Sequence, residues 1–160
     1  MIPPKIFIDT EFTDFSTPRL ISIGLAANSG EEFYAELNYP AAACSDFVRS
    51  TVIPLLGRIP DAYMSNAEIF SRLSNWLRLV NPTGGIIDIC YDFQTDWDLF
   101  SIVLKGSIPP WCQPRLISSR EINELLRYDY HQVKKLPEHH ALYDAQAIRY
   151  AYREPRPIAV

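Results

Sequence analysis

The chain has 160 residues, of which 48% are hydrophobic and 21% are charged, and this balance predicts one compact domain over residues 1–160. Its formal net charge of -4 argues against a broad cationic surface for long duplex nucleic acid. No apolar stretch approaches the ~18 residues that a membrane helix needs. The N-terminus lacks a signal-peptide pattern, so we expect a cytoplasmic protein that binds no membrane.

The first part of the chain has the pattern of an antiparallel meander. The apolar run over residues 5–12 predicts a first strand, and residues 20–26 and 32–37 predict two more. The turn at residues 28–30, Asn-Ser-Gly, is typical of a hairpin between the second and third strands. The sheet is therefore expected to open as a meander.

Helices and strands alternate in the rest of the chain. Predicted helices cover residues 45–56, 66–80, 95–104, 118–127 and 140–153, and predicted strands cover residues 86–91 and 115–117. Residues 128–138 are polar and are expected to be irregular. Ser65 and Glu68 have the spacing of a capping box at the start of the second helix. The pattern predicts an α/β fold, with a mixed sheet of about five strands and helices packed on it.

Two carboxylates end the first predicted strand. Because side chains alternate along a strand, Asp9 and Glu11 point to the same side. Carboxylates this close raise each other's pKa unless a cation lies between them, and oxygen ligands suit Mg²⁺ or Mn²⁺. The alternative is that the pair is only the solvated end of an edge strand.

The last predicted helix begins with the sequence His-His-Ala-Leu-Tyr-Asp-Ala, residues 139–145. An apolar stripe that includes Ala145 and Ile148 docks this helix on the sheet, and Asp144 lies beside the stripe. Asp144 can therefore face the sheet. On its own, a histidine and an aspartate at this spacing are most often a capping or surface pair.

Together these two motifs resemble those of the DEDDh 3'-to-5' exonucleases, the superfamily of RNase T, oligoribonuclease and the proofreading subunits of DNA polymerases. The first motif of that family, D-x-E, matches Asp9-Thr10-Glu11, and its third, H-x-A-L-x-D-A, matches residues 139–145. The resemblance covers essentially the whole domain and implies a ribonuclease-H-like fold. In size, the chain resembles the short stand-alone exoribonucleases of this superfamily most.

The resemblance also implies a two-metal hydrolysis of phosphodiester bonds. Asp9, Glu11, Asp144 and one further aspartate would bind two ions of Mg²⁺ or Mn²⁺, which clamp the scissile phosphate and activate a bound water. His139 would remove a proton from that water, as suits an imidazole that titrates near neutrality. The motif register favours His139 over His140 as this base, and one of the two is expected to be only a surface residue.

The aspartate of the second motif has to come from residues 91–100. Asp96 is favoured, because on the predicted helix it shares the apolar stripe of Leu99 that faces the sheet. Asp98 falls on a mostly polar face, from which its carboxylate could cap the start of the helix. Asp92, just past the end of a strand, is the third candidate and is interpreted as a nearby polar support.

Thr10 and Phe12 are the predicted substrate-binding residues. Phe12 directly follows Glu11, so it can stack on a terminal base, and such stacking contributes ~1–3 kcal/mol per base. The alternative for Phe12 is packing at the rim of the site. The expected partner is a 3' end of RNA or DNA. Members of the superfamily are often homodimers, so the resemblance also implies a homodimer.

The sequence thus predicts a metal-dependent 3'-to-5' exoribonuclease that acts on single-stranded or overhanging RNA. An exodeoxyribonuclease stays open, because RNA and DNA are told apart by contacts to the 2'-hydroxyl. A catalytically silent nucleic-acid-binding domain is the alternative from another class, and the full set of carboxylates with a histidine argues against it. A ribonuclease-H-type endonuclease would not require the third motif.

Overall fold

A mixed sheet of five strands forms the centre of the protein in this computed structural model, which describes residues 2–156. The strands are β1 (Lys5–Phe12), β2 (Leu20–Ala27), β3 (Glu32–Glu36), β4 (Ile87–Tyr91) and β5 (Cys112–Leu116). The α-helices are α1 (Asn66–Val80), α2 (Gln94–Val103), α3 (Glu124–Lys134) and α4 (Ala141–Ala151). The predicted domain also includes Met1 and residues 157–160, which lie outside the described residues. None of the helices described is both long and apolar enough to cross a membrane.

The strand order is β3-β2-β1-β4-β5, with β1 at the centre. The first three strands pair in antiparallel fashion, which confirms the predicted meander, and β4 and β5 add in parallel to β1. In the hairpin between β2 and β3, the amide of Gly30 donates to the carbonyl of Ala27 at 3.0 Å. Gly30 has a φ of 114°, a conformation that glycine adopts without a steric penalty.

The central strand is buried on both faces, as is usual for a strand covered by helices. Ile6 and Ile8 belong to the larger apolar cluster, which also contains Phe100 of α2. Phe7 points to the other face and packs in a second cluster with Ile148 of α4. Since side chains alternate along a strand, Asp9 and Glu11 continue the face of Phe7, which is the face that α4 covers.

The start of α4 lies unusually close to β2. A Cβ atom on Gly24 would come within 2.5 Å of the carbonyl carbon and oxygen of Ala141, so a larger residue could not fit there without a shift of the backbone. Gly24 is also the cross-strand partner of Asp9. The close approach therefore brings the first turn of α4, and Asp144 with it, next to the end of β1.

Several predicted elements agree with the structure. Helix α1 has the predicted bounds, and its capping box is present: the Ser65 side chain accepts from the amide of Glu68 at 3.1 Å, and the Glu68 carboxylate accepts from the amide of Ser65 at 3.2 Å. Helices α2 and α4 start within one residue of the predicted positions, while β5 begins three residues earlier than predicted.

The helix predicted over residues 45–56 is wrong as a regular α-helix. The chain forms a π-helical segment over Val48–Val52 and then a short 3-10 turn over Ile53–Leu55. Pro54 lies at the start of that turn. Proline has no amide hydrogen to donate to a preceding carbonyl, so the regular ladder of an α-helix cannot continue through it.

The helix predicted over residues 118–127 is also wrong, because its first part is a turn. The Glu121 carboxylate accepts from the amide of Ser118 at 2.7 Å, as it would in a capping box. The same carboxylate also pairs with the Arg115 guanidinium at 2.7 Å. The ion pair to Arg115, at the end of β5, ties Glu121 to the sheet, and no helix grows from this turn.

Helix α3 begins later and replaces most of the irregular segment that was predicted over residues 128–138. Asn123 caps it, with its side-chain oxygen accepting from the amide of Leu126 at 3.2 Å. Lys135 ends it in a left-handed conformation, with a φ of 54°. The later register places the C-terminal half of α3 against α4 and beside the predicted site.

Candidate active site

The predicted site residues from β1, α2 and α4 meet at the end of the central strand. Glu11, His139 and Asp144 each offer a ligand atom within 4.8 Å of the other two. Asp9 and Asp96 form a second group, in which Asp92 is the third member at the same limit of 4.8 Å. The structure thus brings together every residue that the sequence predicted as a metal ligand or base.

The carboxylates in these two groups strongly affect one another's protonation. Burial, followed by the charges of Asp144 and Asp96, raises the pKa of Glu11 from an ordinary 4.5 to about 8. Burial, followed by the charge of Asp96 and then of Asp144, also raises the pKa of Asp9 well above its usual range. These carboxylates are therefore not readily ionised together unless a positive charge is bound among them.

The donor set fits a divalent cation. The Oδ2 atom of Asp9 is buried and has no hydrogen-bond partner in the described part of the chain, although a buried carboxylate oxygen normally has one. Carboxylate oxygens are the ligands that Mg²⁺ and Mn²⁺ prefer. A bound cation would satisfy this oxygen and offset the repulsion between the carboxylates.

Asp96 is fixed by the strand that carries Asp9. The Asp96 side chain is 2% exposed, which confirms that this residue faces the sheet. Its Oδ1 accepts from the Thr10 hydroxyl at 2.6 Å and from the Thr10 amide at 3.1 Å. Burial raises the pKa of Asp96 to about 7, and the hydrogen bonds from Thr10 oppose that shift. The Thr10 side chain is thus engaged by a carboxylate, and its predicted role in substrate binding stays a prediction.

The other two candidates for the second motif differ from Asp96. Asp98 is exposed and accepts from the side chain of Gln94 at 3.1 Å, so its predicted role as a capping carboxylate is wrong. The reason is that α2 starts one residue earlier, after Phe93, which makes no side-chain cap. Asp92 pairs with the Arg127 guanidinium at 3.0 Å, as a polar group at the edge of the site.

His139 lies between Asp144 and the surface. Its backbone amide donates to Oδ2 of Asp144 at 3.0 Å, and its φ of 65° is one that residues other than glycine rarely adopt. Its half-buried ring packs edge-on against Phe47, with the ring centroids 5.0 Å apart. The side chain can therefore be reached from solvent while its backbone is held.

His140 is not a surface residue, contrary to the prediction for one of the two histidines. It is 2% exposed, and its ring is stacked on Tyr143 with centroids 3.8 Å apart. Both ring nitrogens are buried without a hydrogen-bond partner among the residues described. Burial lowers the pKa of His140 to about 4, so the ring is neutral at pH 7.

A third histidine, His131 of α3, belongs to the site and was missed in the sequence. Its Nε2 lies 3.3 Å from Oδ1 of Asp144, and its Nδ1 lies 2.9 Å from the carbonyl oxygen of Leu136. Asp144 first, and then the Leu136 carbonyl, raise the pKa of His131 against the effect of burial. No local motif links His131 to Asp144, since the contact depends on how α3 packs on α4.

An aromatic cleft borders the carboxylates. Phe12, Phe15 and Phe47 line it together with Glu11, and its volume is about 420 Å³. Phe15 is 76% exposed and packs edge-on against Phe12, with the ring centroids 5.4 Å apart. Phe15 also packs edge-on against Phe93, with the ring centroids 5.8 Å apart. Of these four rings, only Phe12 was predicted from the sequence, because no local pattern marks the other three as members of one cleft.

The sequence matches no known protein family and no curated protein. Among solved structures, the nuclease domain of 3'hExo, a DEDDh family member bound to rAMP, is similar to this chain with a TM-score of 0.52. The two are 15% identical, and the match covers 91% of this chain and 88% of that one. The protein therefore has the ribonuclease-H-like exonuclease fold, which confirms the predicted fold class.

Proposed function

We propose that this protein is a DEDDh-type nuclease that removes nucleotides from the 3' end of single-stranded or overhanging RNA with the help of divalent metal ions. The observation that carries the proposal is the meeting of four motif carboxylates and His139 at one end of the central strand, in a chain with the fold of a DEDDh nuclease domain. Carboxylates that repel one another and have shifted pKa values cluster mainly at functional sites, so this arrangement supports a metal-dependent activity.

Four carboxylates would hold the metal ions, and they come from three elements: Asp9, Glu11, Asp96 and Asp144. Mg²⁺ or Mn²⁺, two ions per site, would neutralise charge on the phosphate and activate a water molecule for attack. The buried Oδ2 of Asp9 supports this role, because it has no hydrogen-bond partner among the described residues and its lone pairs are left for a cation.

His139 is proposed as the general base. It takes a proton from the water that attacks the phosphorus atom. The bond from phosphorus to the 3' oxygen of the preceding nucleotide breaks, and that oxygen leaves as a hydroxyl group after it takes up a proton from solvent. Its ring lies at the border of the carboxylates and the aromatic cleft, beside Phe47. His140 is buried among tyrosines and is not able to reach a substrate in the cleft.

The aromatic cleft is proposed to bind the terminal nucleotides. Unpaired bases stack on exposed aromatic rings, and each such contact contributes ~1–3 kcal/mol without selecting a sequence. Phe15, 76% exposed, and Phe47, 53% exposed, present large apolar surfaces next to Glu11. A duplex end would have its bases paired and stacked on each other, so a single strand is the proposed substrate.

The proposal can be tested with purified protein and oligonucleotides of RNA and of DNA, each labelled at the 5' or at the 3' end. A 3'-to-5' exonuclease gives a ladder of shortening products from the 5'-labelled strand and free mononucleotide from the 3'-labelled strand. Both should need Mg²⁺ or Mn²⁺ and should stop in excess EDTA. Internal cuts, or faster loss from a 5' end, would contradict the proposal, and faster hydrolysis of DNA would make it an exodeoxyribonuclease.

Two further expectations concern the setting of this activity. A cytoplasmic location and a homodimer were predicted from the sequence and are part of the proposal. Light scattering coupled to size-exclusion chromatography would show whether the 18.3 kDa chain elutes with the mass of a monomer or of a dimer.

A further inference from the structure

His131 is the buried titratable group nearest to the site that the proposed reaction does not use. It lies on the last turns of α3 and is 4% exposed. Its Nδ1 lies 2.9 Å from the carbonyl oxygen of Leu136. A carbonyl oxygen can only accept, so Nδ1 carries a hydrogen and donates it. The imidazole ring is thereby fixed, with Nε2 directed away from Leu136.

Both oxygens of Asp144 have partners on the protein. Nε2 of His131 lies 3.3 Å from Oδ1, where it donates as part of an imidazolium ring, since Nδ1 already carries a hydrogen of its own. The backbone amide of His139 donates to Oδ2 at 3.0 Å. The carboxylate therefore joins the end of α3 to the loop that precedes α4. Carboxylates that bind metals are commonly held in this way by groups behind them, which fix their orientation.

The backbone at His139 depends on this arrangement. Its φ of 65° lies in the left-handed region, which a histidine occupies only when surrounding contacts hold it there. The hydrogen bond from its amide to Asp144 is one such contact. An Asp144 carboxylate that turned away from His131 would withdraw this acceptor and release the loop that carries the proposed base.

We propose that His131 is a positioning residue, which orients the Asp144 carboxylate and, through it, the backbone of His139. The inference rests on the proposed nuclease function, and it adds a residue that lies outside the two motifs matched in the sequence. The alternative is a purely structural role, in which His131 only holds the turn after α3 through its hydrogen bond to Leu136.

Two substitutions separate these roles, because each keeps one of the two ring positions. In His131→Gln the side-chain amide extends to the position of Nε2 and can still donate to Asp144, while the bond to Leu136 is lost. In His131→Asn the shorter amide reaches the position of Nδ1 and keeps Leu136, while the contact to Asp144 is lost. A positioning role makes the asparagine variant the impaired one.

The variants would be compared in turnover, in Mn²⁺ binding followed by electron paramagnetic resonance, and in hydrogen exchange of the His139 amide without metal. We expect His131→Asn to lose about 10–100-fold in kcat and in Mn²⁺ affinity, with KM little changed and the His139 amide exchanging faster. His131→Gln should stay close to the wild type in all three measurements. An impaired glutamine variant beside a normal asparagine variant, or two equal ones, would overturn the proposal.

The wild-type protein supplies a measurement that needs no variant to fold. Its His139 amide should exchange more slowly than the amide of the exposed neighbour Glu138, and it should lose this protection in Asp144→Ala. Equal rates in the wild type would overturn the link from Asp144 to His139. If the wild type hydrolyses no nucleic acid, the proposed function fails, whereas the exchange and Mn²⁺ measurements still decide whether His131 positions Asp144.

Discussion

The Thr10 hydroxyl donates to Oδ1 of Asp96 at 2.6 Å, and the backbone amide of Thr10 donates to the same oxygen at 3.1 Å. These two bonds join the end of β1 to the first turn of α2, although the residues are 86 positions apart in the sequence. They place the Asp96 carboxylate beside Asp9. The middle residue of the D-x-E motif is therefore tied to the carboxylate that was predicted for the second motif.

The first prediction separates Asp96 from Asp98. Asp96→Asn should abolish turnover in a folded protein, because the asparagine oxygen still accepts from Thr10 while the negative charge is lost. Asp98→Asn should keep most of the activity and change the free energy of unfolding by less than about 0.5 kcal/mol, since Asp98 is exposed and contacts only a surface glutamine. Exonuclease assays and urea unfolding would measure both. A folded, inactive Asp98→Asn next to an active Asp96→Asn would reverse the assignment.

The second prediction concerns what the Thr10 side chain does. Thr10→Val keeps the shape and the backbone bond but removes the hydroxyl, and a hydrogen bond to a charged group contributes about 1.5–3 kcal/mol. We expect kcat and metal affinity to fall, with KM almost unchanged, because the hydroxyl orients Asp96. Thr10→Ser, which retains the hydroxyl, is the matched control. A rise in KM alone would instead support the predicted contact between Thr10 and the substrate.

Much of the fold could be predicted, because local patterns determine its elements. Apolar, β-prone runs and a glycine turn predicted the meander, and the capping box of Ser65 and Glu68 predicted the start of α1. Ser118 and Glu121 have the same spacing, yet they form a turn. The difference is Arg115, a tertiary partner that binds the Glu121 carboxylate and that no local pattern reveals.

The predicted site shows the same division between local and tertiary information. Asp9, Glu11 and Asp144 could be placed by strand alternation and by the motif, and the structure brings them together. His131 could not, because its role depends on the packing of α3 on α4 and its own helix was predicted to end too early. Phe15 escaped prediction for a related reason, since it lies in a loop without periodicity.

The third prediction is that the metal-free protein loses stability as the pH rises. The folded-state pKa of Glu11, about 8, and of Asp96, about 7, lie above their ordinary values of 4.5 and 3.8. The native state therefore holds more protons than the unfolded state in this range, so the contribution of these groups to stability falls between about pH 4 and pH 8. Thermal unfolding in EDTA between pH 6.5 and pH 8, above the range in which His140 contributes the opposite change, would measure the decline.

Added metal should reverse that decline, and most strongly at the alkaline end, where the carboxylates are ionised. At a concentration of 100 times Kd, a cation that binds only the native state adds about 2.7 kcal/mol. For a domain of this size, that corresponds to a rise in Tm of about 5–10 °C. A metal-induced rise in Tm that is equal at pH 5 and at pH 8 would contradict binding at these carboxylates. So would an Asp9→Asn variant that shows the same rise in Tm as the wild type.

The fourth prediction tests the aromatic cleft. Phe15→Ala should raise KM for single-stranded substrates, because a stacking contact that contributes about 1–3 kcal/mol is lost. The kcat should change little, since Phe15 lies beside Glu11 but carries no ligand atom. Phe15→Leu keeps apolar volume without an aromatic face and should be impaired nearly as much. Tyr63→Ala removes another exposed ring, 67% exposed, that does not line the cleft, and it serves as the control. An unchanged KM in both Phe15 variants would remove the cleft from the substrate path.

The fifth prediction assigns different roles to the adjacent histidines. His139→Ala should depress kcat by about 10²–10⁴-fold, the usual contribution of a general base, while metal-dependent stabilisation persists. His140→Phe should keep the turnover, because the phenyl ring can still stack on Tyr143 and no hydrogen bond is lost. Steady-state kinetics and thermal unfolding with Mn²⁺ distinguish the two. A large loss in His140→Phe with an active His139→Ala would shift the register of the base by one residue.

His140→Phe should also make the protein more resistant to acid. The pKa of His140 is lowered from 6.5 to about 4 in the folded state, so the unfolded state binds the proton first as the pH falls. The contribution of His140 to the free energy of unfolding is thus fully present above about pH 6.5, and it is lost as the pH drops towards 4. The phenylalanine variant lacks this loss, so its advantage in free energy of unfolding over the wild type should grow between pH 7 and pH 4.5. A constant difference across that interval would show that His140 does not titrate in this way.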